Sequence, residues 1–155
     1  GSFLGERTAL DLVAEAGGSA VRLAEILAGG MTMYADRGFY KRAQIVASDL
    51  ALAGIARFRD LDRLTIFADN LVPHVLRLEG VLVYDERLAA HIDAERLLRP
   101  GPQEREIRGC AVHACAQLAR RLGMTEQELD NVLWTRGGQP RFKAVPRHRC
   151  RVIWY

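Results

Sequence analysis

The stretch Phe39-Tyr40-Lys41-Arg42-Ala43-Gln44-Ile45-Val46-Ala47-Ser48-Asp49-Leu50-Ala51-Leu52-Ala53-Gly54 sets the fold class of this 155-residue chain. Val46, Leu50 and Ala53 recur at helical spacing and predict a long helix that runs to about Arg57. The small residues Ala47, Ser48, Ala51 and Gly54 would let other helices approach it closely.

Upstream, Leu10, Leu12, Val13 and Ala16 predict a first helix from Thr8 to Ala16, ended by Gly17 and Gly18. Ser19 can cap a second helix carrying Val21, Leu23, Ile26 and Leu27, which Gly29 and Gly30 stop. The stretch from Met31 to Gly38 reads as a loop. Downstream, Asp60 or Asp62 can start a short helix through Leu64, Ile66 and Phe67. It must break near Asn70, because Pro73 disfavours helix in the residue before it. Pro73 then suits the first turn of a helix through Val75, Leu76 and Leu78 to Gly80, which puts Asp69 at a helix-to-helix junction.

Asp85 can cap a short helix holding Leu88 and Ile92, and Pro100-Gly101-Pro102 breaks the chain before a longer helix with Ile107, Ala111, Ala114 and Leu118. Thr125 and Glu128 have the spacing of a capping box ahead of Leu129, Val132 and Leu133, with Gly137 and Gly138 ending that helix. The tail from Arg149 to Tyr155 is rich in β-formers and reads as a terminal strand or an extended segment. The expected architecture is all-α, one helical domain over residues 3–155 with a short extended C-terminal segment. Gly1 and Ser2 have the look of an expression remnant and carry no fold argument.

A chain that is 49% hydrophobic can bury one ordinary core, and it holds no apolar run of the roughly eighteen residues a membrane span needs. Three cysteines, an odd number, fit a reducing compartment better than a disulfide framework, so a cytoplasmic, non-membrane protein is expected. A net charge of +3 would attract a phosphate-bearing ligand but falls short of a dense basic face. P-loop, dinucleotide, nucleophile-elbow and zinc-protease motifs are all missing from the sequence, which removes several enzyme classes.

Lys41 at one helix start and Asp69 ahead of another form the first chemical candidate, a phosphate-holding cation and an ionised carboxylate. The same pattern fits a solvated lysine and a plain helix cap. Cys110, His113 and Cys115, with His148 and Cys150, offer zinc-ligand chemistry, but the spacing is poor and small buried cysteines explain them better, so no metal is expected. Tyr40, Phe67, Trp134, Trp154 and Tyr155 could each stack on a heterocyclic base or belong to the core, and Tyr40 and Phe67 stand nearest the candidate pair in sequence.

Phe39-Tyr40-Lys41-Arg42-Ala43-Gln44-Ile45 resembles the corresponding segment of the queuosine salvage protein family. Matches continue in order through Phe58-Arg59-Asp60, Leu64-Thr65-Ile66-Phe67-Ala68-Asp69, Pro73, Val75-Leu76, Gly80-Val81-Leu82, Tyr84 and Glu106-Ile107-Arg108-Gly109-Cys110, and close with Asp130, Leu133-Trp134, Val145-Pro146, His148-Arg149, Arg151 and Tyr155. The resemblance implies a fold similar to helix-hairpin-helix DNA glycosylases and hydrolysis of queuosine 5′-monophosphate to queuine, without a cofactor. It gives Asp69 the place of the catalytic aspartate and Lys41 that of a lysine near the 5′-phosphate. Beside them, Tyr40, Phe67 and His148 are this reading's own candidates for stacking on and hydrogen bonding to the base, and Asn70 for a further substrate contact. Asn70-Leu71 departs from the tyrosine-arginine pair usual after that aspartate. The resemblance covers about the C-terminal half of a typical member, which leaves three alternatives: a short or divergent member, a partner chain that completes the pocket, or an N-terminal half outside these residues that does so. The alternative is a non-catalytic helical module that binds nucleic acid or a protein partner.

Overall fold

A computed structural model of the chain describes residues 3–155, so Gly1 and Ser2 lie outside the described residues. The described residues are all-helical, with eight α-helices, two 3-10 turns and no strand. They group into two compact units, one running through Phe67 and including Trp154, the other running from Ala68 to Ile153 and including Tyr155.

The first unit holds α1 (Ala9–Glu15), α2 (Ala20–Gly30), a 3-10 turn (Thr32–Tyr34) inside the expected loop, α3 (Lys41–Leu52) and a second 3-10 turn (Leu61–Arg63). Thr8 caps α1 through a full capping box with Asp11, and Ser19 caps α2 through the amide of Arg22. Ala20, Leu23, Ala24 and Leu27 of α2 share a buried cluster with Ala43 and Ala47 of α3. Alanine on both faces lets the two helices approach closely; of the small residues expected to permit this, Ala47 lies in the cluster and Ser48 is buried, whereas Ala51 is half-buried and Gly54 is exposed beyond the helix end.

Two expectations are corrected here. The helix expected to reach Arg57 ends at Leu52, because Gly54 adopts a left-handed φ of 69° and turns the chain so that the N–H groups of Ile55 and Ala56 donate to the Leu50 carbonyl. Gly54 is therefore a terminator. The helix expected through Leu64, Ile66 and Phe67 shrinks to the Leu61–Arg63 turn. The Thr65 N–H donates to Gln44 Oε1 at 2.9 Å and Gln44 Nε2 donates to Thr65 Oγ1 at 3.0 Å, and these bonds to α3 take the place of a helical ladder. Asp69 consequently follows a non-helical run and is not at a helix-to-helix junction.

The second unit holds α4 (Val72–Leu78), α5 (Glu86–Asp93), α6 (Pro102–Leu122), α7 (Glu126–Gly137) and a short α8 (Pro140–Lys143) that the sequence reading missed. Asp85 caps α5, and Thr125 with Glu128 forms the expected capping box of α7. Ile92, Leu98 and Ile107 form a buried cluster, with Tyr84, Leu88 and Cys150 packed on it. The tail is extended without forming a strand. Cys150 makes one isolated parallel bridge with Leu98, whose N–H donates to the Arg149 carbonyl at 2.8 Å.

Candidate active site

In the first unit, the start of α3 is built around Asp36, which is 1% exposed. Its carbonyl accepts from the N–H of Phe39 at 3.0 Å and of Tyr40 at 2.7 Å, and its Oδ2 accepts from the N–H of Lys41 at 3.4 Å. This tight reversal leaves Tyr40 in the left-handed region with φ 49°. A non-glycine residue there costs on the order of 1 kcal/mol and persists when its surroundings over-determine it. Gln44 supplies part of that hold, since its N–H donates to the Tyr40 carbonyl at 2.8 Å and its Nε2 to the Phe39 carbonyl at 2.7 Å. Lys41 is the first residue of α3, and Tyr40, Lys41 and Phe67 are all half-buried. A cleft of about 160 Å³ is lined by Gly38, Phe39, Tyr40, Gln44, Arg63 and Thr65.

In the second unit, Asp69 is half-buried and turned onto the start of α4. Its Oδ1 accepts from the N–H of Leu71 at 2.7 Å and of Val72 at 3.3 Å. The carboxylate therefore has a fixed direction as well as a capping role. Asn70 is half-buried beside it. Leu71 packs against Gly137 of α7 so closely that an added Cβ there would lie 2.8 Å from Leu71 Cδ1. A groove of about 780 Å³ opens next to Leu71 and is lined also by His74, Trp134, Phe142, Lys143 and Arg147.

Behind Asp69 stands a buried polar network. Arg108 of α6, fully buried, donates Nε to the Ala68 carbonyl at 2.9 Å and Nη1 to Glu104 Oε1 at 3.1 Å. Tyr155 donates its hydroxyl to the same Glu104 oxygen at 2.7 Å, and its ring lies 5.1 Å from the guanidinium. Burial and the Glu104 carboxylate push the Tyr155 phenol up, which keeps it a proton donor. His148 meets the Tyr155 ring edge-on at 6.3 Å.

His148 itself is 2% exposed, and neither ring nitrogen has a hydrogen-bond partner among the described residues. Burial, with the Arg108, His74 and Arg147 charges around it, lowers its pKa to about 4, so the imidazole is neutral.

The structure thus groups Tyr40, Lys41 and Phe67 in one unit and Asp69, Asn70 and His148 in the other. Asp36, Gln44, Glu104, Arg108 and Tyr155 were not singled out as a supporting frame. The Glu104/Arg108 spacing of one helical turn was the available signal. Of the zinc candidates, Cys110 is exposed while Cys115 is fully buried with its thiol pushed up to about 12, and the described residues hold no cluster of three metal-ligating side chains. No helix among the described residues is long and apolar enough to cross a membrane.

The family described as "Queuosine salvage protein" matches residues 3–155. A protein of Sphaerobacter thermophilus named queuosine 5′-phosphate N-glycosylase/hydrolase is 37% identical over 176 aligned residues, covering 100% of this chain and 54% of that protein. One of the same name from Mus musculus is 34% identical over 174 residues, covering 94% of this chain and 51% of its own length. The chain spans about half the length of the curated relatives it matches.

Proposed function

Because the chain belongs to the queuosine salvage protein family, we propose that it carries the catalytic carboxylate of a hydrolase that cuts the N-glycosidic bond of queuosine 5′-monophosphate, releasing queuine and ribose 5-phosphate. The observation that carries this reading is Asp69, whose carboxylate is aimed by the Leu71 and Val72 amides. Bond breaking at such a centre passes through an oxocarbenium-like transition state. An ionised, fixed carboxylate stabilises the developing positive charge, and it orients or deprotonates the attacking water. Queuine has carbon where guanine has N7, so leaving-group assistance acts at other atoms of the base.

Lys41 is assigned to the 5′-phosphate, where an ammonium serves as a compact point charge. Tyr40 and Phe67 are assigned to stacking on the base, and Asn70 and His148 to shaping its surroundings. The deciding experiment incubates the protein with queuosine 5′-monophosphate and follows free queuine by mass spectrometry. Release of queuine with ribose 5-phosphate supports the reading, and intact nucleotide after prolonged incubation at high protein concentration overturns it.

A further inference from the structure

Arg108 is an expensive residue to place where it is. Taking a guanidinium fully out of water is strongly unfavourable unless partners offset it. Glu104, itself 3% exposed, neutralises the charge from one turn away on α6. The Nε donor goes elsewhere, to the main-chain carbonyl of Ala68, the residue directly before Asp69. The carboxylate of Asp69 is meanwhile held by the amides of Leu71 and Val72 at the start of α4.

We propose that Arg108 is a positioning residue for the reaction: by holding the Ala68 carbonyl, it sets the backbone from which the Asp69 carboxylate is aimed, while Glu104 and Tyr155 lock the guanidinium in place. This rests on the assignment of Asp69 as the catalytic carboxylate. The planar guanidinium presents Nε to the carbonyl and Nη1 to Glu104 in one fixed fork, which a single lysine nitrogen does not reproduce. Tyr155 adds an aromatic face to the cation and a hydroxyl bond to Glu104, so each of the three side chains restricts the other two. A misplacement of about 1 Å at a reacting group can lower turnover by roughly a hundredfold.

The test compares Arg108→Lys and Tyr155→Phe with the parent protein, reading kcat and KM for queuine release, and amide hydrogen exchange at Leu71 and Val72. Arg108→Lys is expected to lower kcat by roughly 10- to 100-fold while KM stays within about twofold, and to speed exchange at those two amides. Tyr155→Phe keeps the ring and the Glu104–Arg108 pair, and is expected to lower kcat several-fold in the same pattern, so it serves where Arg108→Lys fails to fold. In an Asp69→Asn background, Arg108→Lys should cause no further loss of turnover, because its effect runs through the carboxylate. A lower melting temperature with unchanged kcat, or additive losses in the double variant, overturns the inference. Wild-type turnover in Asp69→Asn alone overturns the catalytic assignment instead. In that case unchanged exchange at Leu71 and Val72 in Arg108→Lys independently overturns the hold on the backbone.

Discussion

The backbone N–H of Leu71 donates to Asp69 Oδ1 at 2.7 Å, so the carboxylate proposed for catalysis is also the one that ties off the start of α4. The two roles separate by substitution. Asp69→Asn retains an acceptor for the Leu71 and Val72 amides and should melt close to the parent, yet lose queuine release by at least about 100-fold through the missing charge. Asp69→Ala should lose the same activity and also about 1 kcal/mol of stability with the cap. Thermal melts run beside queuine release decide it, and an active Asp69→Asn would end the assignment.

Lys41→Ala should reduce kcat/KM for queuosine 5′-monophosphate by about 10- to 100-fold, the range of a charge-assisted hydrogen bond. The unphosphorylated nucleoside offers that cation nothing to hold, so its turnover should change far less. Equal losses on the two substrates would remove Lys41 from the phosphate.

Gly137 is the last residue of α7, and an added Cβ would meet Leu71 Cγ at 2.9 Å and Val75 Cγ2 at 3.0 Å. Helix propensity alone favours alanine over glycine by up to about 1 kcal/mol in a helix interior. Overpacking typically costs about 1–3 kcal/mol. Gly137→Ala is therefore expected to lower the urea midpoint and, by pushing on Leu71, to slow turnover. A stabilised, fully active variant would show that the approach is not tight.

Acid should weaken the fold in a window set by histidine. The pKa of His148 is lowered from 6.5 to about 4, so the unfolded chain binds the extra proton between those values. Its contribution is fully present above pH 6.5 and is lost as pH falls toward 4, by on the order of 3 kcal/mol. Burial lowers His74 as well, which acts in the same direction. Asp60 belongs to a more acidic range: burial works against its carboxylate, but the Ser19 hydroxyl and the amides of Ala20 and Val21 hold its pKa below 3.8. Its contribution is lost only as pH falls below that value. Urea midpoints between pH 7.5 and 4.5 should fall steeply for the parent and less steeply for His148→Leu, and parallel slopes would contradict the buried neutral imidazole.

What the sequence by itself determined is chemistry completed within one helical turn. Ser19, Asp85 and Thr125 cap their helices as read, because each cap closes a bond to a residue two or three positions ahead. Lys41 begins α3 and Asp69 lies close before α4, as read. Tertiary structure decided what depends on distant partners. Gln44 and Thr65, twenty-one positions apart, hold the run before Asp69 out of a helix. Arg108 reaches the Ala68 carbonyl across forty positions, and Gly137 gives room to Leu71. His148 is buried and neutral because of the side chains that packing sets around it. Caps are legible because both partners lie in the same few residues. The frame around Asp69 is not, because its donors and acceptors become neighbours only when packing brings separate helices together.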